Sequence, residues 1–387
     1  MTTTAKFRLF SLLAVVVFSP FATAGDKPRA RDLGIPFDGK PGKLNAITDV
    51  AGVEVGHETL ISGKGKLEVG SGPVRTGVTA ILPRGKKSTD PVMAGFFSLN
   101  GNGEMTGTAW IEESGFLEGP VMLTNTHSVG VVRDAVIAWY VKRAEKGKQP
   151  WLLPVVAETF DGWLNDINGF HVKQKHAFAA LDAAKTGTVR EGNVGGGTGM
   201  TCFEFKGGIG TASRLVGKPD GGYTVGVLVQ ANFGSRHQMR IAGISVGEEI
   251  KENAFRSRPE SGSIIILIAT DAPLLPHQLK RLARRASLGL ARTGSVAGNG
   301  SGDIFLAFST ANAGAARKEG TASLTMLPNE RMNALFDATV QATEEAIINA
   351  LVAAETMTGA QDRKVIALPH GRVKEILKKH KRLAPEK

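Results

Sequence analysis

The chain has 387 residues, of which 42% are hydrophobic and 21% are charged, with 48 glycines and a formal net charge of +11. This length and apolar content suffice for one large or two ordinary folded domains, and they exclude a disordered chain. The single cysteine, Cys202, excludes an intramolecular disulfide, and no cysteine or histidine spacing indicates a structural zinc site.

The N-terminal 24 residues have the composition of an export signal. Lys6 and Arg8 precede an apolar stretch over residues 9–18, and small residues at 22–24 suit cleavage after Ala24. The apolar stretch is about half the ~20 residues that a membrane-spanning helix needs. We therefore predict a signal peptide at 1–24 and a periplasmic or secreted mature chain of residues 25–387 that has no membrane anchor. An uncleaved anchor is the alternative.

Beyond a predicted extended surface arm at residues 25–39, short apolar segments alternate with glycine-rich turns. Segments typical of strands lie at residues 50–55, 77–82, 92–98, 121–123, 155–157, 226–229, 264–269 and 304–308. Apolar residues at three-to-four spacing predict helices at 128–143, 276–290 and 329–357. Because no linker divides the mature chain, the mixture predicts layered α and β structure in a single domain.

Basic residues concentrate at 374–387 and on one side of the helix predicted at 276–290. Single-stranded nucleic acids are bound with the help of aromatic side chains, yet only 6% of residues are aromatic and they are not interleaved with the cations. We therefore predict no nucleic-acid partner, a solvated and partly frayed C-terminus, and a solvent-exposed basic helix face. Anion binding at that face is the alternative.

A glycine and a serine stand directly before the aliphatic segment 264–269. Ser263 follows Gly262 and a polar segment at 256–262 that has the composition of a processing loop. Cutting the Gly262–Ser263 bond would give one residue both a hydroxyl and a free amine that can serve as its base, which is what an N-terminal-nucleophile hydrolase needs. A simple turn before a core strand is the structural alternative.

Polar side chains also stand at the ends of other predicted strands. Ser301 and Asp303 are two residues apart, so on an extended strand they point to the same side and could form a hydrogen-bond relay. Asn232 ends a strand with an amide that could donate to an oxyanion, and Glu158 ends another with a carboxylate. Each feature alone is weak evidence for a site, since a carboxylate at a strand end is more often a cap or an ion-pair partner.

Two glycine-rich segments, at 192–199 and 101–107, lack the features of nucleotide-binding loops. The first has no Lys-Ser/Thr ending, and the second lacks the dinucleotide spacing. Tight turns near a site explain them better. The histidines form no ligand pair, and no Gly-x-Ser-x-Gly elbow occurs in a strand-to-helix context, so a Ser-His-Asp hydrolase is compatible with the sequence but not indicated by it. A serine nucleophile with its own amine as base needs neither a metal nor an organic cofactor, and we predict none.

Seven segments together resemble, in the same order, the autoprocessed serine aminopeptidases that include DmpA (L-aminopeptidase D-Ala-esterase/amidase) and the β-peptidyl aminopeptidases. They lie at residues 100–104, 123–126, 158–162, 195–199, 230–234, 262–263 and 300–303. The resemblance implies an α/β fold of the N-terminal-nucleophile-hydrolase type, a four-layer αββα sandwich. It also implies self-cleavage into an α chain, 25–262, and a β chain, 263–387, and favours a homotetramer of αβ units.

The resemblance implies a role for each polar residue named above. Ser263 would be the nucleophile, and Ser301 and Asp303 would support it, although some family members have glutamate in place of the aspartate. Asn232 would help to form the oxyanion hole. Glu158 would bind the free amine of the substrate, since a carboxylate in a partly dry pocket selects a cationic N-terminus.

Phe160 departs from the family pattern. DmpA-like members have a tyrosine here that could hydrogen-bond near the active site, and phenylalanine cannot. This difference affects the expected substrate preference, not the nucleophile.

The sequence therefore predicts a serine aminopeptidase or amidase that releases N-terminal residues from short peptides, amides or esters with a free amine. The reaction would pass through an acyl-enzyme on Ser263, and D-amino-acid or β-amino-acid substrates are compatible with it. Two alternatives stay open. One is an amidase of the same fold for ω-amino-acid oligomers or N-acyl substrates, and the other is a non-catalytic periplasmic binding protein.

Overall fold

The computed structural model describes residues 27–254 and 262–384. The predicted signal peptide and the predicted processing loop, apart from Gly262, lie outside these residues and stay predictions.

The described residues form fourteen strands and seven α-helices. The strands are β1 (Glu54–Ser62), β2 (Val74–Leu82), β3 (Val92–Gly101), β4 (Phe116–Leu117), β5 (Val121–Asn125), β6 (Val155–Thr159), β7 (Thr201–Cys202), β8 (Phe205–Lys206), β9 (Gly208–Leu215), β10 (Thr224–Asn232), β11 (Ser263–Thr270), β12 (Gly302–Ser309), β13 (Met357–Thr358) and β14 (Lys364–Val365). The helices are α1 (Thr108–Ser114), α2 (Val129–Arg143), α3 (Gln174–Ala183), α4 (Val246–Glu249), α5 (Pro276–Arg292), α6 (Asn333–Val352) and α7 (His370–Lys379).

Two sheets form the centre of the fold. The smaller sheet has the strand order β1-β2-β5-β6, and the larger has the order β4-β3-β12-β11-β10-β9. Neighbouring strands are antiparallel except for β5 with β6 and β11 with β12, which are parallel. The strand that begins at Ser263 is therefore one of the two central strands of the larger sheet.

Alternating side chains of β11 show how the layers pack. Ile264, Ile266 and Ile268 belong to the apolar core shared with α5 and α6, whereas Ile265 and Leu267 belong to the core between the sheets. This is the two-residue period of a strand buried on both faces. Helices α2 and α3 pack on the outer face of the smaller sheet. The four layers confirm the predicted αββα sandwich.

Two terminal segments differ from their prediction. The predicted surface arm is wrong where it is described, because Ala30–Leu33 is a 3-10 helix and Ala30, Leu33 and Ile35 are buried in the core. The predicted frayed tail is wrong over the helix α7, since its basic residues occupy only one side. Val373, Ile376 and Leu377 on the other side are buried.

The bounds of several strands and helices also differ from those predicted. Residues 50–53 of the strand predicted at 50–55 are not extended, because a 3-10 helix at Ile47–Asp49 and a turn place Val50 and Val53 in the core, and β1 begins only at Glu54. Helix α6 is shorter than the predicted 329–357, and β9 and α3 were not predicted. Within the two described ranges, no helix combines the length and the apolar content needed to cross a bilayer.

Candidate active site

Ser263 lies at the point where three strands of the larger sheet meet. It is the first residue of β11 and is paired with Asn232, the last residue of β10, and with Gly302, the first residue of β12. Its side chain is buried. Sheet pairing therefore brings together three segments that are far apart in the sequence.

A single backbone donor serves both the serine and the preceding carbonyl. The hydroxyl of Ser263 donates to the carbonyl oxygen of Gly262 at 2.6 Å. The N–H of Gly302 donates to Ser263 Oγ at 3.2 Å and to the same Gly262 oxygen at 3.1 Å. If the hydroxyl attacked that carbonyl, the negative charge would develop on an oxygen that already faces an N–H donor.

Asn232 is held opposite Ser263 with a fixed amide orientation. Directly paired residues point to the same face of a sheet, with Cβ atoms roughly 4.5–5.5 Å apart. Asn232 Oδ1 accepts from the Thr201 N–H at 2.8 Å, and Nδ2 donates to the Phe160 carbonyl at 3.0 Å. Because an amide nitrogen carries two N–H groups, a second donor is available on the same atom.

Ser301 and Asp303 form the predicted hydrogen bond. Ser301 Oγ donates to Asp303 Oδ1 at 2.8 Å, and both residues are fully buried. The pairing of β12 with β3 shifts register between Asp303 and Ile304, and such bulges re-aim side chains next to active sites. The pair reaches Ser263 through the backbone of Gly302, which lies between them in the chain.

Glu158 is a buried carboxylate at the end of β6. Its Oε1 accepts from the Glu104 N–H at 3.0 Å, and its Oε2 accepts from the hydroxyl of Thr126. Burial raises the pKa of Glu158 even though these two hydrogen bonds oppose the shift. A desolvated carboxylate interacts strongly with a cation, so this group can bind a protonated amine.

The last two residues of β3 and the three that follow them, here together called the loop at 100–104, span the gap between the nucleophile and Glu158. The Asn102 N–H donates to the Ser301 carbonyl at 3.3 Å, while the Glu104 N–H binds Glu158. A Cβ atom on Gly103 would lie 3.2 Å from Gly302 Cα and 3.3 Å from Glu158 Oε1. Gly103 therefore lies between Gly302, which contacts the nucleophile, and Glu158.

Phe160 contributes through its backbone. Its carbonyl accepts the hydrogen bond from Asn232, while its ring is 51% exposed. The predicted substrate-binding role of the side chain is untested.

The sequence reasoning missed the backbone donors of Gly302 and Glu104 and the hydroxyl of Thr126. All three residues lie in the segments that carried the family resemblance, but only tertiary pairing shows which N–H group faces which oxygen. Among residues 27–254 and 262–384, no three histidine, cysteine, aspartate or glutamate side chains are grouped as metal ligands would be. The predicted absence of a cofactor stays a prediction.

Comparison with known proteins places this geometry in a family. The model of "Peptidase family S58" matches residues 45–365. The chain belongs to peptidase family S58. This S58 peptidase is 58% identical over 381 residues to "Beta-peptidyl aminopeptidase BapA" of Sphingosinicella microcystinivorans, covering 95% of this chain and 96% of the relative. It is 52% identical over 395 residues to the protein of the same name from Sphingosinicella xenopeptidilytica, covering 97% and 98%.

Solved structures agree with this membership. The L-aminopeptidase D-Ala-esterase/amidase from Ochrobactrum anthropi, described as a variant of the Ntn hydrolase fold, superposes with a TM-score of 0.87. Its identity is 48%, covering 92% of the S58 peptidase and 100% of that chain. A Burkholderia sp. beta-aminopeptidase gives a TM-score of 0.84 at 49% identity, covering 93% and 100%.

The predicted family, fold class and enzyme class are thereby confirmed. The S58 peptidase is a serine aminopeptidase with an Ntn-hydrolase fold, and the alternative of a non-catalytic binding protein is set aside. The roles of the individual site residues stay predictions.

Proposed function

We propose that this S58 peptidase cuts its own chain between Gly262 and Ser263 and then uses Ser263 to release amine-bearing N-terminal residues from short peptides, amides or esters. The observation that carries the proposal is the Gly302 N–H, which donates both to Ser263 Oγ and to the Gly262 carbonyl oxygen. One donor thus stands beside the nucleophile and the oxygen that gains charge when the nucleophile attacks.

In the first reaction, Ser263 Oγ forms a bond to the Gly262 carbonyl carbon while the Gly302 N–H stabilises the oxyanion. The bond from that carbon to the Ser263 nitrogen then breaks, and the nitrogen takes the proton, which leaves an ester. Water hydrolyses the ester to a Gly262 carboxylate and regenerates the Ser263 hydroxyl beside a free α-amine. Glycine at 262 also fits the space, because a Cβ there would lie 2.3 Å from the Asn232 carbonyl oxygen.

In the second reaction, the new α-amine takes the proton of its own hydroxyl. The reference pKa of an α-amine is about 7.7–8.0, which suits proton transfer near neutral pH. The hydroxyl attacks the substrate carbonyl, and the Asn232 side chain and the Gly302 N–H stabilise the oxyanion. The leaving amine or alcohol departs with the proton, and water then hydrolyses the acyl-enzyme.

The buried carboxylate of Glu158 supports a substrate with a protonated amine. We propose β-amino-acid peptides and amides as the substrate class, because relatives at 58% and 52% identity are named β-peptidyl aminopeptidases. The Ochrobactrum enzyme is named for L-aminopeptidase and D-Ala-esterase/amidase activities, so α-amino-acid amides must also be tested as substrates. Comparing β-amino-acid, α-amino-acid, ω-amino-acid and N-acyl amides separates these classes. Faster turnover of the N-acyl amide would favour the acyl-amidase alternative.

The decisive test replaces Ser263 with alanine. We expect the wild-type protein to give two chains on a denaturing gel and by intact mass, and the Ser263→Ala variant to give one unbroken, inactive chain. Ser261→Ala changes the neighbouring serine and should be cut and active like the wild type. Cleavage of Ser263→Ala at the same bond would assign the cut to another protease and remove the basis for the nucleophile.

Export and assembly complete the proposal. The apolar leader supports removal of residues 1–24 and a periplasmic or secreted enzyme, and the family resemblance supports a homotetramer of αβ units. An N-terminus at Gly25 in protein recovered outside the cytoplasm checks the first point. The native mass of the purified enzyme checks the second.

A further inference from the structure

Lys206 is a fully buried lysine whose three ammonium donors all have carbonyl acceptors. Its Nζ donates to the carbonyl oxygens of Met200 at 2.6 Å, Gly207 at 2.9 Å and Gly197 at 3.4 Å. Burying an ammonium group is costly unless its hydrogen bonds are satisfied. The charged form is the one that donates three hydrogen bonds, so this geometry is that of an ammonium ion.

One of these carbonyls leads directly to Asn232. The Met200 carbonyl that binds Lys206 and the Thr201 N–H belong to the same peptide group, and that N–H donates to Asn232 Oδ1 at 2.8 Å. The lysine, the peptide and the side-chain amide thus form a chain of hydrogen bonds in one direction. In such a chain each hydrogen bond polarises the next, and here the last group is the Nδ2 donor of Asn232.

The surrounding backbone holds this chain of bonds in place. Strands β7 and β8 form a hairpin in which Thr201 pairs with Lys206, and its two turn residues, Phe203 and Glu204, both have positive φ. Residues without glycine's freedom persist in that conformation only where the surroundings impose it. The Phe203 N–H donates to the Phe233 carbonyl at 2.7 Å, which fastens the turn just beyond the end of β10.

The pKa of the Lys206 ammonium is set by burial and by nearby charged groups. Burial lowers the pKa of Lys206 to about 7, while Cys202 and Asp161 raise it and Lys27 lowers it further. The three carbonyl acceptors around Nζ favour the charged form against the cost of burial. Replacing it therefore changes both the charge and the geometry of the Met200–Thr201 peptide.

We propose that Lys206 is a positioning residue for the peptidase reaction, whose ammonium group fixes and polarises the Met200–Thr201 peptide so that Asn232 presents Nδ2 to the oxyanion. This inference rests on the oxyanion role proposed above for Asn232. Lys206 itself does not contact the substrate.

A double-mutant cycle tests the inference. Turnover of an amino-acid amide is measured for the wild type, Lys206→Met, Asn232→Ala and the double variant, with kcat expressed per cleaved chain. We expect Lys206→Met to lower kcat about 10-fold with KM unchanged, since the charge-assisted hydrogen bond to the Met200 carbonyl is lost and the substrate contacts are not. In the Asn232→Ala background we expect the same change to have less than about a 2-fold effect, because the residue through which it acts is gone.

The matched control is Arg75→Met. Arg75 is another buried cation that donates to backbone carbonyls, those of Ser62, Gly63, Val74 and Thr358. Its loss should lower the melting temperature, and any effect on kcat should be equal in both backgrounds.

Two outcomes separate this inference from the proposed function. An equal kcat loss for Lys206→Met in both backgrounds overturns the role of Lys206, whereas an unchanged kcat for Asn232→Ala alone overturns the oxyanion role of Asn232. If Lys206→Met does not fold, Lys206→Gln keeps neutral N–H donors and enters the same cycle with the same expectation. Failure of both variants to fold would assign Lys206 to stability and overturn the inference.

Discussion

Gly302 links the two reactions of the site because it contributes an N–H rather than a side chain. A Cβ atom at this position would lie 2.4 Å from the Asn102 carbonyl oxygen, so only glycine lets the loop at 100–104 approach β12 so closely. That approach places the N–H beside Ser263 Oγ. The glycine between Ser301 and Asp303 is therefore as much a part of the site as the two side chains that flank it.

Glu158 gives a prediction at the scale of one residue. Glu158→Gln keeps the shape and one acceptor oxygen but loses the charge, so KM for an amine-bearing amide should rise about 10- to 100-fold, corresponding to about 1.5–3 kcal/mol. The same amide without its amine should be turned over equally by both enzymes. Glu113→Gln is the control, since it neutralises an exposed carboxylate on helix α1.

The acidic side of the pH profile adds a second measurement on Glu158. Because burial raises its pKa, the carboxylate becomes neutral at a pH above the ordinary range for glutamate, and amine binding is lost as pH falls through that value. In the wild type kcat/KM should fall more steeply with decreasing pH below this point. The profile of Glu158→Gln should lack the extra steepness, and an unchanged profile would contradict amine binding by Glu158.

At the residue scale, the sequence identified which polar residues form the site but not which of them contact one another. Ser301 and Asp303 could be paired in advance because a strand repeats every two residues, and their hydrogen bond is present. The opposition of Ser263 and Asn232 depends on the register between two strands, which no local pattern specifies. The role of Lys206 was equally hidden, because a buried lysine in a short hairpin has no distinctive sequence signal.

At the scale of elements, the loop at 100–104 acts as a spacer between the nucleophile and the amine-binding carboxylate. Gly103→Ala adds a methyl group 3.2 Å from Gly302 Cα and 3.3 Å from Glu158 Oε1, closer than ordinary packing allows. Overpacking costs about 1–3 kcal/mol, and because the added methyl group lies between the nucleophile and Glu158 we expect that cost in kcat/KM, as a fall of about 5- to 150-fold.

Gly101→Ala, at the last residue of β3 and two residues before Gly103, is the matched control. A Cβ at this position would find only Ser98 Oγ, at 3.8 Å, which is ordinary contact. This variant should keep wild-type kcat/KM. Equal losses in both variants would mean that the loop tolerates no added side chain, and the spacer role of Gly103 would fail.

Element types were predictable where the apolar pattern was regular. Helices α2 and α5 lie close to their predicted bounds, and β11 lies where a continuous aliphatic run predicted it. The prediction is wrong for residues 50–53 and for the part of the 374–387 tail that lies in α7, because tertiary packing determines both segments. Val50 and Val53 enter the core from a turn, and the basic residues of α7 obscured an apolar face.

At the scale of the whole molecule, the proposed cut divides the larger sheet without leaving separable halves. Strands β11 and β12 follow Gly262 in the chain, and they lie between β3 on one side and β10 on the other, both of which precede it. Two ladders of hydrogen bonds therefore cross between the chains. The two chains should elute in one peak under native conditions and separate only on unfolding.

A buried ion network also crosses between the chains. Glu345 on α6 accepts from Arg31 in a two-pronged contact at 2.8 and 2.8 Å, from Arg214 at 2.7 Å and from Asn45 at 2.6 Å. The side chains of Arg214 and Glu345 are 1% and 0% exposed. Burial raises the pKa of Glu345, but Arg31 and Arg214 outweigh that effect and leave it below its ordinary value.

Glu345→Gln should therefore destabilise the cleaved enzyme, because it leaves Arg214 buried without the carboxylate that it contacts. We expect a loss of about 3 kcal/mol in the free energy of unfolding, read from the denaturation midpoint. A carboxyl group whose pKa is lower in the folded than in the unfolded state stabilises the fold at pH values above the unfolded pKa. The difference in unfolding free energy between the wild type and Glu345→Gln should therefore be full at neutral pH and shrink as pH falls below about 4.3 toward the folded pKa.

The control variant is Glu249→Gln. It removes exposed contacts to Lys379 and His380 that also join the two chains, and it should leave the midpoint unchanged. Equal midpoints for Glu345→Gln and the wild type would show that this ion network does not help to hold the two chains together.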